Sequence, residues 1–144
     1  MISKFFQSFH EPKNNDKDTF QEDLYNLIYE VIIADHEISP EEIDLSAELV
    51  EYYFQIPKDV NKQEFLKLAE KQHFNTDLSQ FTQRLKTALS YEQRMDIILI
   101  CWQVLMVDGI EDQLETSTVR TLSTLLGLED KDFILIRNRV KDSL

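Results

Sequence analysis

The chain has 144 residues, enough for one domain with a sizeable buried core. Its net charge of −12 argues against a nucleic-acid partner, because phosphate binding needs clustered Lys and Arg. The apolar run 97–107 is too short to span a bilayer, which takes roughly 20 residues, so we expect no transmembrane segment. A single cysteine cannot form an intrachain disulfide, and the N-terminus has no signal-peptide pattern, so we expect a cytoplasmic protein.

The N-terminal 17 residues are predicted to be a segment and a linker, and residues 18–144 a helical domain. Residues 2–9 have the spacing of a short amphipathic helix with Phe5, Phe6 and Phe9 on one side, and the polar stretch "EPKNNDKD" follows. We expect this segment to add little to the stability of the core. Its phenylalanines could dock on the domain, on a neighbouring molecule or on a membrane surface, and the sequence does not choose among these.

Three helices are predicted in the first half of the domain. Apolar residues at helical spacing place the first over roughly 19–35. The second begins at "SPEE", where Ser39 can cap, Pro40 suits the first helical position and Glu42 completes a capping box. Asn61 and Glu64 repeat this signal and predict that the third begins there. The aromatic residues of this region are predicted to lie in the core: Tyr52, Tyr53, Phe54 and Phe74.

Four more helices are predicted in the second half. The fourth covers "TDLSQFTQRLKTAL", and the fifth opens at Ser90 with Gln93 three residues on. The fifth is apolar almost all round, which places it in the centre of the core with Cys101 buried. The sixth begins near Asp112 and ends before Gly127, and the seventh covers "EDKDFILIRNRV". No segment alternates with a period of two, so the predicted fold class is all-α with about seven helices.

The sequence contains an internal repeat. A shift of 73 positions superposes Asp35 on Asp108, Ser39 on Asp112 and Glu42 on Glu115. In both halves a long apolar helix precedes the acidic loop, and a capped helix follows it. This pattern predicts two related helix–loop–helix halves packed about a pseudo-twofold axis.

The same residues carry a family resemblance. "ADHEISPEE" and "VDGIEDQLE" resemble the paired A-D-G-x-[ILV]-[DS]-x-x-E segments of the TerB-like (tellurite resistance protein B) family, and the stretch that joins them resembles its bacterial members. The resemblance covers about residues 20–141. It implies a compact fold of about seven helices, a bacterial cytoplasmic setting and a role in tellurite resistance or a metal-linked stress response. This chain departs from the motif at His36, which replaces glycine, and at the reversed pair Ile110–Glu111.

The acidic loops allow two interpretations. The first is a divalent-cation site, because carboxylates are hard ligands that suit calcium, magnesium or manganese. Its candidate ligands are Asp35, Glu37, Glu42, Asp108, Asp112 and Glu115. An EF-hand is excluded, because the glycine and the bidentate glutamate of that loop are missing from both segments. In the second, favoured interpretation, the acids cap helix ends, and a stabilisation of ~1 kcal/mol explains them without a metal.

Two functions follow from these observations. The preferred hypothesis is a non-enzymatic interaction module that docks partner proteins, since the sequence has no nucleophilic triad, no phosphate-cradling loop and no zinc-ligand spacing. The alternative is a small metal-dependent hydrolase whose acidic loops hold magnesium or manganese. The sequence leaves homo-oligomerisation open.

Overall fold

The computed structural model describes the backbone of residues 14–33, 39–71, 78–108 and 113–143, and the side chains of these ranges except 14–19, 33, 108 and 113–115. The described residues form seven α-helices and no strand, which confirms the predicted all-α fold. A 3₁₀ turn, Met106–Asp108, follows the fifth helix. The helices are α1 (Asn14–Ile33), α2 (Pro40–Phe54), α3 (Lys58–Lys71), α4 (Leu78–Ala88), α5 (Tyr91–Leu105), α6 (Gln113–Leu125) and α7 (Asp130–Asp142).

Helices α1 and α5 pack against each other in the middle of the core. The predicted central position of α5 is confirmed, since most of its side chains from Ile97 onwards are buried. Cys101 is fully buried, as predicted, and burial raises the pKa of its thiol to about 12. The aliphatic residues of α1 that are at most 1% exposed are Leu24, Leu27, Ile28, Val31 and Ile32.

The internal repeat extends over three helices, one more than the sequence predicted. The shift of 73 positions superposes Pro40, the first residue of α2, on Gln113, the first residue of α6. The same shift superposes Lys58, the first residue of α3, on Lys131, which is one residue after the start of α7 at Asp130. The first unit is therefore α1–α2–α3 and the second is α5–α6–α7. Helix α4 joins the two units and packs mainly on α1.

Two of the predicted helix starts have complete capping boxes. The Glu42 amide donates to Ser39 Oγ at 3.0 Å, and the Ser39 amide donates to Glu42 Oε1 at 3.3 Å. At the start of α5, Ser90 and Gln93 form the same reciprocal pair at 3.2 and 3.0 Å. Each box satisfies two backbone groups that an isolated helix start leaves unpaired.

The predicted start of α3 is wrong. The helix begins at Lys58, because the Glu51 carboxylate accepts a hydrogen bond from the Lys58 amide at 2.8 Å. Asn61 lies inside the helix, where its amide donates to the Pro57 carbonyl at 3.1 Å, so it cannot be the cap. Helix α1 also differs from the prediction, since it begins at Asn14, five residues before the expected position 19.

The predicted burial of Tyr52 is also wrong. Its side chain is 73% exposed, whereas Tyr53 and Phe54 are partly buried against the core. On α2 the apolar residues buried in the core are Ile43, Ala47 and Val50, and Tyr52 points away from them at helical spacing. Tyr53 packs edge-on against it, with ring centroids 4.8 Å apart. Phe74 lies outside the described residues.

The end of α6 confirms the role predicted for Gly127. Gly127 has φ +78°, its amide donates to the Thr124 carbonyl and the Leu128 amide donates to the Ser123 carbonyl, both at 3.0 Å. This pair of bonds is a Schellman motif, which favours glycine at the left-handed position. Helix α2 ends in the same conformation with a non-glycine residue, Gln55, at φ 56°.

The two helix ends give matched variants with opposite expected effects. We expect Gly127→Ala to lower the free energy of unfolding by about 1–2 kcal/mol, because a Cβ is unfavourable at this φ. The new Cβ would also lie 2.9 Å from Lys86 Cε, but that flexible side chain can move. We expect Gln55→Gly to raise the free energy of unfolding by roughly 0.5–1 kcal/mol. Urea denaturation measures both, and a change of the same sign in the two variants would contradict this account.

Candidate functional site

The two acidic loops occupy equivalent places in the two units. The first connects α1 to α2, and the second connects α5, through the 3₁₀ turn, to α6. Asp108 is the last residue of that turn. Both loops therefore lead into a helix N-terminus, where negative charge is favoured.

Glu42 is the one predicted ligand whose side chain the structure describes. It is 9% exposed, and its Oε1 atom accepts the amide hydrogen of Ser39 in the capping box. Asp35, Glu37 and Asp112 lie outside the described residues, as do the side chains of Asp108 and Glu115. Within the described ranges, no three His, Cys, Asp or Glu residues are grouped so that they could hold a metal ion.

A buried hydrogen-bonded cluster around Asn61 joins the three helices of the first unit. Asn61 Nδ2 donates to the carbonyls of Ala47 and Ile56 at 3.0 and 2.9 Å, and the Tyr25 hydroxyl donates to Asn61 Oδ1 at 2.6 Å. Asn61 is fully buried, and the ring of Tyr25 packs edge-on against Phe65. Burial, and then the charge of Glu64, raise the pKa of Tyr25 to about 12. The local sequence pattern predicted that Asn61 caps a helix. Its partners Ala47 and Tyr25 are 14 and 36 residues away, so no local pattern could indicate these bonds.

A bidentate ion pair fixes α4 to α1. Arg84 donates from Nε and Nη2 to the two carboxylate oxygens of Asp23, each at 2.8 Å. Asp23 is 2% exposed, while the Arg84 side chain is 47% exposed and its guanidinium lies 5.6 Å from the Phe81 ring centre. The hydrogen bond to Asp23 raises the pKa of Arg84. The sequence prediction missed this pair, whose members are 61 residues apart.

Polar contacts hold the start of α7 beside α5. The Tyr91 hydroxyl donates to Asp132 Oδ2 and accepts the Glu129 amide hydrogen at 3.0 Å, and the bond to Asp132 raises the pKa of Tyr91. Arg94 Nη1 donates to the carbonyl of Leu126, the last residue before Gly127, at 2.6 Å. The carboxylates and amides in these contacts are therefore used to join helices.

The core of the second unit is built around Trp102. Its ring packs against Phe133 with centroids 5.7 Å apart, and the Arg137 guanidinium lies 5.9 Å from the indole. Arg120 lies over the other ring, 4.7 Å from the Phe133 centroid. Trp102 Nε1 is buried and has no hydrogen-bond partner among the described residues. These contacts are cation–π and aromatic packing, which stabilise the core without a polar ligand.

None of the described helices is long and apolar enough to cross a membrane. A family model described as "Tellurite resistance protein TerB" matches residues 21–138, which include nearly all of both three-helix units and α4 between them. No curated protein matches the chain. No solved structure matches it either.

Proposed function

Since the chain belongs to the TerB family of tellurite resistance proteins, we propose that it is a non-enzymatic helical module that docks partner proteins in tellurite resistance or a related metal stress response. The family match over residues 21–138 carries this proposal, because it covers the domain rather than one motif. No observation on the described residues favours the alternative, a metal-dependent hydrolase.

Two further observations support docking over catalysis. Several polar groups that lie deepest in the described structure, including Asp23 and Asn61, are used in contacts between helices. By contrast, α7 presents Ile134 and Leu135 on its outer side, where they are 45% and 52% exposed. Exposed apolar side chains next to one another suit a protein partner better than water.

Complementation of a deletion in the native host tests this function. We expect the wild-type gene to restore growth on tellurite and the variant Ile134→Ser/Leu135→Ser to fail, although it remains folded. Leu66→Ser is the matched control, since Leu66 is also exposed, at 44%, but lies on α3. Failure of the wild-type gene to restore growth, or full restoration by the double variant, would contradict this proposal.

For the acidic loops we propose helix capping as the main role. The support is Glu42, whose Oε1 atom accepts the Ser39 amide hydrogen in a complete capping box. The alternative is a divalent cation, calcium, magnesium or manganese, held by the remaining acids of the two loops. Such a cation would bias docking by fixing the loop conformations.

Thermal melts distinguish capping from cation binding. If the acids mainly cap helices, Asp35→Asn and Asp108→Asn should each lose no more than about 2 kcal/mol, with or without divalent cations. A cation site would instead stabilise the wild type by about 2.7 kcal/mol at a hundredfold excess over Kd, and both variants would lose most of that gain. Glu42→Gln is the control that we expect to be nearly neutral, because glutamine also completes a capping box. A cation-dependent shift of several degrees that both Asn variants abolish would overturn the capping proposal.

A further inference from the structure

Helix α7 carries a stripe of exposed residues on the side that faces away from the core. Its buried residues Phe133, Ile136 and Val140 hold the other side against α5 and α6. The exposed residues recur at positions i, i+4, i+7 and i+11, a spacing that keeps them on one line along a helix. We call these residues the α7 stripe: Lys131, Leu135, Asn138 and Asp142. Ile134 lies beside the stripe and is 45% exposed, while Leu135 is 52% exposed.

The α7 stripe has the same spacing from either end, and its two end charges are opposite. Its steps are four, three and four residues, so a reversed copy of the helix superposes on the same positions. In an antiparallel pair of α7 helices about a twofold axis, Lys131 of each copy lies opposite Asp142 of the other. Leu135 of each copy lies opposite Asn138 of the other, close to the axis. The stripe is therefore complementary to itself, with an ion pair at each end and Leu135 near the middle.

The equivalent stripe of the first unit does not have this complementarity. Aligned on their first residues, Lys58 and Asp130, α3 and α7 have exposed side chains at the same four positions. The α3 stripe is Asp59, Gln63, Leu66 and Glu70. An antiparallel pair of α3 helices would place Asp59 against Glu70 of the second copy, and these like charges repel each other. The same position of the fold is thus self-repelling in the first unit and self-complementary in the second.

The end charges of α7 are placed against the helix dipole. A cation is unfavourable in the first turn and an acid in the last turn, yet Lys131 and Asp142 occupy these places. Within its own molecule Lys131 pairs with Glu129 at 3.3 Å, but both side chains are mostly exposed and such pairs contribute little to stability. A single molecule therefore gains little from this arrangement, whereas an antiparallel second copy pairs both charges.

We propose that the α7 stripe is a self-association surface, on which α7 of a second copy of this chain packs antiparallel about a twofold axis. The inference rests on the proposed function, since it names the protein that covers Ile134 and Leu135. Each copy has a net charge of −12, and α7, with four cations and three acids, lets two copies meet without adding to that repulsion. One helix pair buries less surface than a standard interface, so we expect a weak, reversible dimer.

Sedimentation equilibrium of the full-length protein tests the proposal. We expect a monomer–dimer equilibrium, and Lys131→Asp and Asp142→Lys should each weaken the dimer about tenfold or more, because each reversal brings like charges together at both ends of the contact. The double variant Lys131→Asp/Asp142→Lys should bind within about threefold of the wild type, since the pairs form again with their charges exchanged. A wild type that stays monomeric up to about 1 mM, or a double variant that dimerises no more tightly than the single variants, would overturn the proposal.

A matched variant separates the α7 contact from the effect of net charge. Asp142→Lys makes the chain less negative, so general repulsion between copies predicts a tighter dimer, whereas loss of the local ion pair predicts a weaker one. Glu70→Lys makes a similar change of charge at the equivalent end of the α3 stripe, and we expect it not to weaken the dimer. Equal weakening by the two variants would contradict a contact through α7. Circular dichroism checks that each variant keeps its helices.

Complementation distinguishes failure of this inference from failure of the proposed function. A wild-type protein that restores growth on tellurite but stays monomeric would overturn the α7 dimer and not the proposed function. A dimer that responds to charge exchange as expected, but whose gene does not restore growth, would overturn the proposed function and not the dimer. Residues 1–13 lie outside the described residues, and their expected small contribution to core stability stays a prediction, so every measurement uses the full-length chain.

Discussion

Replacement of Asn61 with leucine should lower the free energy of unfolding by about 3–5 kcal/mol, the largest effect that we expect from a single substitution in this chain. The side chain donates two hydrogen bonds and accepts one, all inside the core. Leucine has a similar volume but leaves the carbonyls of Ala47 and Ile56 and the hydroxyl of Tyr25 without their partner. Each buried polar group left unpaired costs about 1–3 kcal/mol.

The control for this experiment is Tyr25→Phe, which removes one bond of the three. We expect a loss of about 1–2 kcal/mol, because one acceptor, Asn61 Oδ1, is left without its donor. Both variants can be measured by urea denaturation, with the slope of the transition checked for a change in the denatured state. If Asn61→Leu cost no more than Tyr25→Phe, the two backbone carbonyls would be satisfied by other donors and the cluster would not be the connection that we describe.

The second large effect concerns the ion pair between α1 and α4. We expect Arg84→Met to lower the free energy of unfolding by about 2–3 kcal/mol, because Asp23 is left buried without its cation. The loss is below the 3–5 kcal/mol typical of fully buried pairs, since Arg84 is 47% exposed and water can replace part of its contact. The double variant Asp23→Leu/Arg84→Met should recover most of the loss, because apolar packing then replaces both charges.

A matched control separates the pair from the general effect of removing a positive charge. Lys86→Met removes a cation from an exposed position of the same helix and should change stability by no more than about 0.5 kcal/mol. Thermal and urea unfolding of the wild type, Asp23→Leu, Arg84→Met and the double variant give the coupling energy between Asp23 and Arg84. A coupling close to zero would mean that the bidentate geometry contributes nothing to the attachment of α4.

The sequence predicted those features that are set by neighbouring residues. The capping boxes at Ser39 and Ser90 and the left-handed Gly127 each depend on residues within five positions, so the local pattern was sufficient. The internal repeat could be recognised in the sequence for the same reason, because it is a match between two short local patterns. Its extent was underestimated, since the identities that α3 and α7 share at the aligned positions, Lys58 with Lys131 and Asp59 with Asp132, are too few to have indicated a third helix.

Features that depend on distant residues were missed or misread. Asn61 followed by Glu64 satisfies the local pattern of a cap, but the three partners of the Asn61 side chain come from α1, α2 and the turn before α3. The cap of that helix is instead a carboxylate seven residues back in the chain, Glu51. Tyr52 was predicted to be buried because of its residue type, whereas its position on α2 decides its exposure. For the loops, the structure shows the capping box of Ser39 and Glu42 that the sequence pattern predicts, and the candidate cation site stays a prediction.

The position of Trp102 gives this protein a built-in optical probe. It is the single tryptophan of the chain, and its indole lies buried in the second unit against Phe133. Its fluorescence therefore reports the unfolding of α5–α6–α7, while far-UV circular dichroism reports the helices of both units. Coincident transitions would mean that the duplicated units unfold as one cooperative body, and an earlier loss of fluorescence would mean that the second unit unfolds first. The burial of a single chromophore in one unit thus makes the cooperativity between two repeats directly measurable.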